Sequence, residues 1–179
     1  RYWDVNPGAT SGRRSFKDQV DTVDKLLKAA VVRRLESDAP LGSFSSAGID
    51  SGLVSAMSAD SLDEPLRTFT VGFDGDSAGV DERPLARMVS ERYGTDHHEL
   101  VLSTEDTIPL PQLIWNAGEP FADVSVLPSH QISRMARNDI TVALTGDGGD
   151  ESFGGYANVY AAYFGSKVKR WVPKSIRNN

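Results

Sequence analysis

The chain contains no cysteine among its 179 residues, which excludes disulfides, thiolate metal sites and a cysteine nucleophile within it. It also lacks any apolar run of membrane-spanning length, and no signal-peptide pattern stands at its start, so no membrane partner is expected. Basic charge is scarce: 19 Lys and Arg face 25 Asp and Glu, for a net charge of −6. That balance argues against nucleic acid as the main partner. With 39% hydrophobic and 25% charged residues, the composition suits a soluble globular domain long enough to bury a core. The absence of cysteine fits a cytoplasmic location.

Charge is also uneven. Residues 60–106 hold twelve acids against four arginines, whereas Lys167, Lys169, Arg170, Lys174 and Arg177 follow Gly165 with no acid among them. A solvated helix end accounts for that basic tail.

What the chain does have is two loops rich in small residues. The first lies in Leu41-Gly-Ser-Phe-Ser-Ser-Ala-Gly-Ile-Asp-Ser51, where a short apolar strand runs into a Ser/Gly loop and then a helix opening at Asp50 and Ser51. This order gathers free N–H groups, hydroxyls and the positive end of a helix dipole at one point, a site suited to an anion such as pyrophosphate. A carboxylate beside phosphate oxygens makes sense if Mg²⁺ lies between them, which gives Asp50 a role. The loop is not a Walker loop, because no Gly-Lys-Ser/Thr follows, and it lacks the three-glycine dinucleotide fingerprint. Ordinary capping also produces Ser/Gly/Asp clusters, so taken alone the loop leaves both readings open.

The second loop repeats the pattern with more acid. The β-branched run Ile140-Thr-Val-Ala-Leu144 empties into Thr145-Gly-Asp-Gly-Gly-Asp-Glu-Ser-Phe-Gly-Gly-Tyr156, with five glycines and three carboxylates in twelve residues. Glycine permits close backbone approach at an entropic cost that a plain connector would not need five times. Asp147, Asp150 and Glu151 are therefore candidates for metal binding or acid–base work. A calcium loop is disfavoured, since the alternating D-x-D-x-D-G pattern is missing.

Periodicity organises the rest. Residues 1–14 read as a loose lead-in linker. Apolar positions from Phe16 to Val31 predict a helix to about Leu35, capped by Ser15 and Asp18. Strands are expected at 41–45, 67–72, 98–102 and 140–144, and helices at 50–60, at 105–116, 125–137 and 157–169, with another that carries Leu85, Ala86, Val89 and Tyr93 and is closed by Gly94. This alternation implies right-handed βαβ units in a three-layer α/β fold, a parallel sheet with helices on both faces. Ligands of such sheets sit beyond the carboxyl ends of the strands, where both loops lie.

The loops and the segments between them resemble the asparagine synthase family. Ser46-Ala47-Gly48-Ile49-Asp50-Ser51 is similar to the PP-loop of ATP pyrophosphatases, and Thr145–Tyr156 to that family's acidic glycine-rich segment. Further matches lie in order: Thr68–Phe73, Asp81-Glu82, Ala86-Arg87, Gly94–Glu99 and Glu119-Pro120-Phe121, with Tyr2-Trp3-Asp4 similar to the lead-in from a glutaminase domain. The resemblance implies an adenine nucleotide alpha hydrolase-like fold and an enzyme using ATP and Mg²⁺. It implies adenylation of a carboxylate, aspartate by default, followed by attack of ammonia from a glutaminase domain; a homodimer is also expected. ATP and pyrophosphate are assigned to Ser45, Ser46, Ala47, Gly48, Asp50, Ser51, Val71, Thr145 and Gly146. Metal contacts fall to Asp50 and Asp150, and proton handling to Asp147.

Two positions depart from the family pattern. Ala47 replaces a glycine; at positive φ an alanine would cost about 1–2 kcal/mol, so a reshaped loop with negative φ is expected. Asp147 stands where glutamate is usual, which shortens the reach of the expected base. For this family residues 15–179 are expected to be the first part of a synthetase domain, without its glutaminase and C-terminal helical parts. Related readings stay open: a β-lactam- or peptide-cyclising relative, a tRNA-modifying PP-loop enzyme disfavoured by the acidic charge, and a non-catalytic ATP-binding remnant. His97-His98-Glu99 is not expected to bind metal, because neighbours on a strand face opposite ways. Trp3, Trp115 and Trp171 are expected to pack, and Glu119–Asp123 to form either a substrate wall or a turn.

Overall fold

The structure is a computed structural model that describes residues 14–46, 48–74, 81–103, 110–119, 123 and 125–171, the last four by backbone alone. The chain divides into two compact units, Arg1–Glu36 and Ser37–Asn179. In the first, helix α1 spans Phe16–Leu35 and opens on the expected capping box: Asp18 N donates to the Ser15 hydroxyl at 3.1 Å, and Ser15 N donates back to the Asp18 carboxylate at 3.3 Å. Two orphan N–H groups are thereby satisfied.

The second unit alternates strand and helix. Its elements are β1 (Leu41–Phe44), α2 (Ile49–Ala59), β2 (Arg67–Phe73), α3 (Arg83–Tyr93), β3 (Asp96–Leu102), α4 (Leu110–Ala117), α5 (Val126–Ala136), β4 (Val142–Leu144), α6 (Gly149–Phe153) and α7 (Ala157–Trp171). The strands form one parallel sheet in the order β3-β2-β1-β4. β1 is thus flanked by the strand that follows it and by the last one, and the direction of winding reverses there.

Strand alternation sends different chemistry to the two faces. Phe69 packs with Ile132, Ala136 and Ile140, and Phe44, Val71 and Ala143 join them, so α5 covers an apolar face. The opposite face carries hydroxyls. Ser43 bonds Ser55 of α2 at 3.0 Å, and Thr68 bonds Thr95 at 3.0 Å and His97 Nδ1 at 2.9 Å. Thr95 in turn donates to Ser90 of α3 at 2.9 Å. Small hydroxyl side chains let α2 and α3 lie close on the sheet and bond across the layers. Helices therefore cover both faces, giving the expected three layers.

Several boundaries differ from the sequence reading. β3 starts at Asp96 and pairs along all of β2. β4 starts at Val142, because Ile140 N still bonds Ala136 O at 2.8 Å and the Ile140 side chain goes into the core. The segment before α4, part of the predicted 105–116 helix, lies outside the described residues. On α3 the buried positions are Ala86 and Ser90, while Leu85 is exposed, because the hydroxyl face accepts only small side chains. Trp115 does not pack as expected: it is 80% exposed, since Leu113 turns α4 inward and a residue two positions on points away. Trp3 lies outside the described residues, as does the side chain of Trp171.

Candidate functional site

Both glycine-rich loops leave the carboxyl ends of β1 and β4, which are hydrogen-bonded neighbours with Gly42 opposite Ala143 and Ser43 opposite Leu144. Winding reverses at β1, so both loops lie at the switch in strand order, the position where such sheets bind ligands.

The first loop is held by hydroxyls and backbone. Ser45 is buried, its N–H donates to Phe69 O at 2.9 Å, and its carbonyl accepts the Thr70 hydroxyl. The Ser46 and Ser51 hydroxyls meet at 2.9 Å, and the Ser51 hydroxyl also lies 3.0 Å from Ser46 O and 3.3 Å from Gly48 O. Gly48 N closes the turn onto Ser46 O. Gly48 is the N-cap of α2 and has no side chain to cap it, which leaves first-turn N–H groups available to an anion. Ala47, with its expected reshaping, lies outside the described residues.

The second loop presses directly on the first. A Cβ placed on Gly146 would come within 2.5 Å of Ser51 N, and one on Gly149 would collide with the Asp50 carboxylate. Only glycine permits that approach. The loop folds into the short helix α6, absent from the sequence reading, entered at Gly148 and left at Gly154, both at positive φ. The tertiary structure therefore brings together Ser46, Gly48, Asp50, Ser51, Gly146 and Gly149.

Hydrogen bonding sorts the carboxylates into two groups. Asp147 accepts the Thr145 hydroxyl at 2.8 Å, and Glu151 accepts the Tyr156 hydroxyl at 2.6 Å. The side-chain carboxylates of Asp50 and Asp150 have no hydrogen-bond or ion-pair partner among the described residues; that of Asp50 sits over Gly149, and that of Asp150 over Gly155. The Tyr156 hydroxyl bond holds the Glu151 carboxyl below its usual value and, reciprocally, pushes the Tyr156 phenol up to about 12. No group of three or more His, Asp or Glu poised around one metal exists among the described residues. Mg²⁺ does not require one, because it takes one or two carboxylates and completes its shell with water and phosphate oxygens. Asp50 and Asp150 fit that role.

The other predicted residues fall elsewhere. Val71 is half-buried and packs on the Phe69 cluster, on the α5 face of β2. Of Glu119–Asp123, residues 120–122 lie outside the described residues, and Asp123 accepts Ser125 N at 2.9 Å as a turn does. His97 and His98 do face opposite ways, His97 onto Thr68 and His98 stacked on Phe69 at 5.1 Å. Unforeseen in the sequence is the bidentate pair of Arg87 with Glu99, two bonds of 2.6 Å. Together with His97 it lines a shallow recess of about 440 Å³. The Arg87 guanidinium holds the Glu99 carboxyl below its usual value, and burial holds His97 below its own.

At the switch point of a parallel sheet, an uncapped helix start meets a glycine-rich loop that lies directly on it, the arrangement of α/β proteins whose ligands sit beyond the strand ends. The match is more particular than that: residues 22–179 fit the family model described as asparagine synthase, and the chain belongs to that family. A Methanocaldococcus jannaschii protein provisionally named a glutamine-hydrolysing asparagine synthetase is 37% identical over 163 residues, covering 90% of this chain and 31% of that protein. The Bacillus subtilis glutamine-hydrolysing asparagine synthetase 1 is 32% identical, covering 92% and 27%. The amidase chyE of Penicillium rubens is 34% identical, covering 87% and 25%. The chain thus spans a quarter to a third of the length of these relatives. Among solved structures, the NH3-dependent NAD synthetase of Campylobacter jejuni superposes with a TM-score of 0.49 at 12% identity, over 76% of this chain and 60% of that one. No helix among the described residues is long and apolar enough to cross a membrane.

Proposed function

We propose that this chain is the ATP-binding core of an asparagine synthetase. ATP adenylates the side-chain carboxylate of aspartate with loss of pyrophosphate, and ammonia derived from glutamine attacks the acyl-adenylate carbonyl, forming the amide as AMP leaves. One observation carries this reading: Gly146 and Gly149 lie on Ser51 and Asp50, so that two loops from neighbouring strands form one anion cradle. Ser46, Gly48, Ser51 and the first-turn N–H groups of α2 hold the phosphates, and Thr145 and Gly146 close the opposite wall. Fixed donors of this kind act where charge builds on the leaving group and need no reorganisation as it departs. Bound Mg²⁺ supplies Lewis-acid neutralisation of that charge, and Asp50 and Asp150 are the residues that would hold it. Asp147, kept in place by Thr145, is within the same loop and accepts the proton released on amide formation. Val71, at the end of β2, would contribute to the adenine side by family resemblance alone, since here it packs on the Phe69 cluster.

Calorimetry with ATP and Mg²⁺ tests the binding step on this chain; absence of Mg-dependent binding overturns the reading. In the longer protein that contains this segment, Asp147→Asn should lower amide formation more than exchange of labelled pyrophosphate into ATP. Equal losses in both would remove Asp147 from proton handling. The Ala47 substitution favours a second reading, an ATP-binding remnant, and nucleotide binding without any pyrophosphate exchange in the longer protein would select it.

A further inference from the structure

Nothing in the proposed chemistry uses Tyr156 or Glu151, yet they make the tightest side-chain contact of the second loop. Tyr156 OH donates to Glu151 Oε1 at 2.6 Å across five residues. Two residues of the ring so closed bond back to the residue just before it: Asp150 O accepts both Gly154 N at 2.8 Å and Gly155 N at 3.1 Å. Gly154 makes this reversal at φ 74°, and Gly155 has no Cβ to displace the Asp150 carboxylate that rests on it. Beyond the ring, Tyr156 O accepts Val159 N at 3.0 Å, so the same residue also starts α7.

The geometry leads us to propose that Tyr156 is a positioning residue whose bond to Glu151 fixes the Asp150 carboxylate and keeps the Glu151 carboxylate away from the cation. The need is electrostatic. Asp150 and Glu151 are adjacent acids, and hard cations accept either carboxylate. A site that must present one in a set place is sharper when the other is tied up. A neutral phenol does this without adding a competing charge, and its rigid ring spans the turn with few rotors to freeze. Thr145 does the same for Asp147 with a shorter hydroxyl. This inference rests on the Mg–nucleotide reading above.

Two measurements on the same chain decide it. Amide exchange is followed at Gly154 and Gly155, and ATP binding is titrated against Mg²⁺ by calorimetry. Tyr156→Phe should raise protection loss at Gly154 and Gly155 with little change in α2 or α5, and should raise the half-saturating Mg²⁺ concentration about fivefold, the scale of one hydrogen bond. Glu151→Gln keeps a carbonyl oxygen for the Tyr156 hydroxyl, so it should stay within about twofold of the parent in both. Parent-like behaviour of Tyr156→Phe overturns the proposal. So does a Glu151→Gln loss equal to that of Tyr156→Phe, which would make Glu151 itself the cation ligand. If the parent binds no Mg-ATP, the nucleotide reading fails on its own, and unchanged exchange at Gly154 and Gly155 in Tyr156→Phe still refutes the latch.

Discussion

The two loops lie against each other but are built from different chemistry. Ser45–Ser51 is organised by hydroxyls and main chain: Thr70 on Ser45 O, Ser46 on Ser51, Gly48 N on Ser46 O. Thr145–Tyr156 is organised by glycine contacts and by hydroxyls that engage carboxylates. The first loop gathers hydroxyls and a helix start around a single acid, Asp50, whereas the second carries three acids, Asp147, Asp150 and Glu151. In the proposed function this contrast sets donors beside acids around a magnesium–phosphate ligand, with Asp50 and Asp150 contributed one from each loop.

The comparison breaks most severely at Gly146. Gly146→Ala sets a methyl against the backbone at Ser51 N, and a helix start cannot swing aside as a side chain can. We expect about 1–3 kcal/mol loss of stability in thermal melts and no measurable Mg-ATP binding; a parent-like isotherm would show that the loops do not need their close approach. Next come Asp50→Asn and Asp150→Asn. Each should cut pyrophosphate exchange in the longer protein on the order of a hundredfold, the scale of losing one preorganised charge-stabilising group. If both mutants exchange at the parent rate, the unpartnered carboxylates are not the cation ligands.

Smaller effects sharpen the contrast. Ser51→Ala removes the hydroxyl that meets Ser46 and the loop carbonyls, and should weaken ATP about fivefold with little change in Mg²⁺ dependence. A shift confined to Mg²⁺ would assign Ser51 to the wrong side. pH should separate the loops least but cleanly. Glu151 titrates below its ordinary 4.5 because of Tyr156, so its contribution is full above 4.5 and is lost as pH falls through the lowered value. Tyr156, pushed up to about 12 from 10.0, contributes fully below 10 and loses its part as pH rises through about 12. All four amides bond backbone carbonyls, but only Gly154 and Gly155 lie within the turn closed by the titrating Tyr156–Glu151 bond, so their protection should fall in acid before that at Gly48 and Gly52; simultaneous loss would contradict the division.

Much of this was legible in the linear chain. Strand and helix alternation announced the parallel sheet, and the capping box at Ser15 and Asp18 marked α1 to within a residue. The loops declared themselves by composition, since five glycines in twelve residues are costly unless something approaches closely. Less legible were features that depend on a distant neighbour. α6 is too short for any periodicity, and the exposure of Trp115 depends on which face α4 turns inward. The pairing of Arg87 with Glu99 joins α3 to β3 and leaves no trace in local pattern.

By itself the sequence determined which residue types stand at the ends of which strands, because hydrophobic period, β-branching and turn residues are local properties of the chain. The tertiary structure decided what those residues do to each other. Strand order placed β4 beside β1, and only that adjacency set Gly149 over Asp50 and Gly146 over Ser51. It also chose which acids are engaged by a hydroxyl and which are free. The reason is geometric: contacts across about a hundred residues depend on sheet topology and register, and a side chain's role in a charged site is set by the partners that packing brings within hydrogen-bond reach.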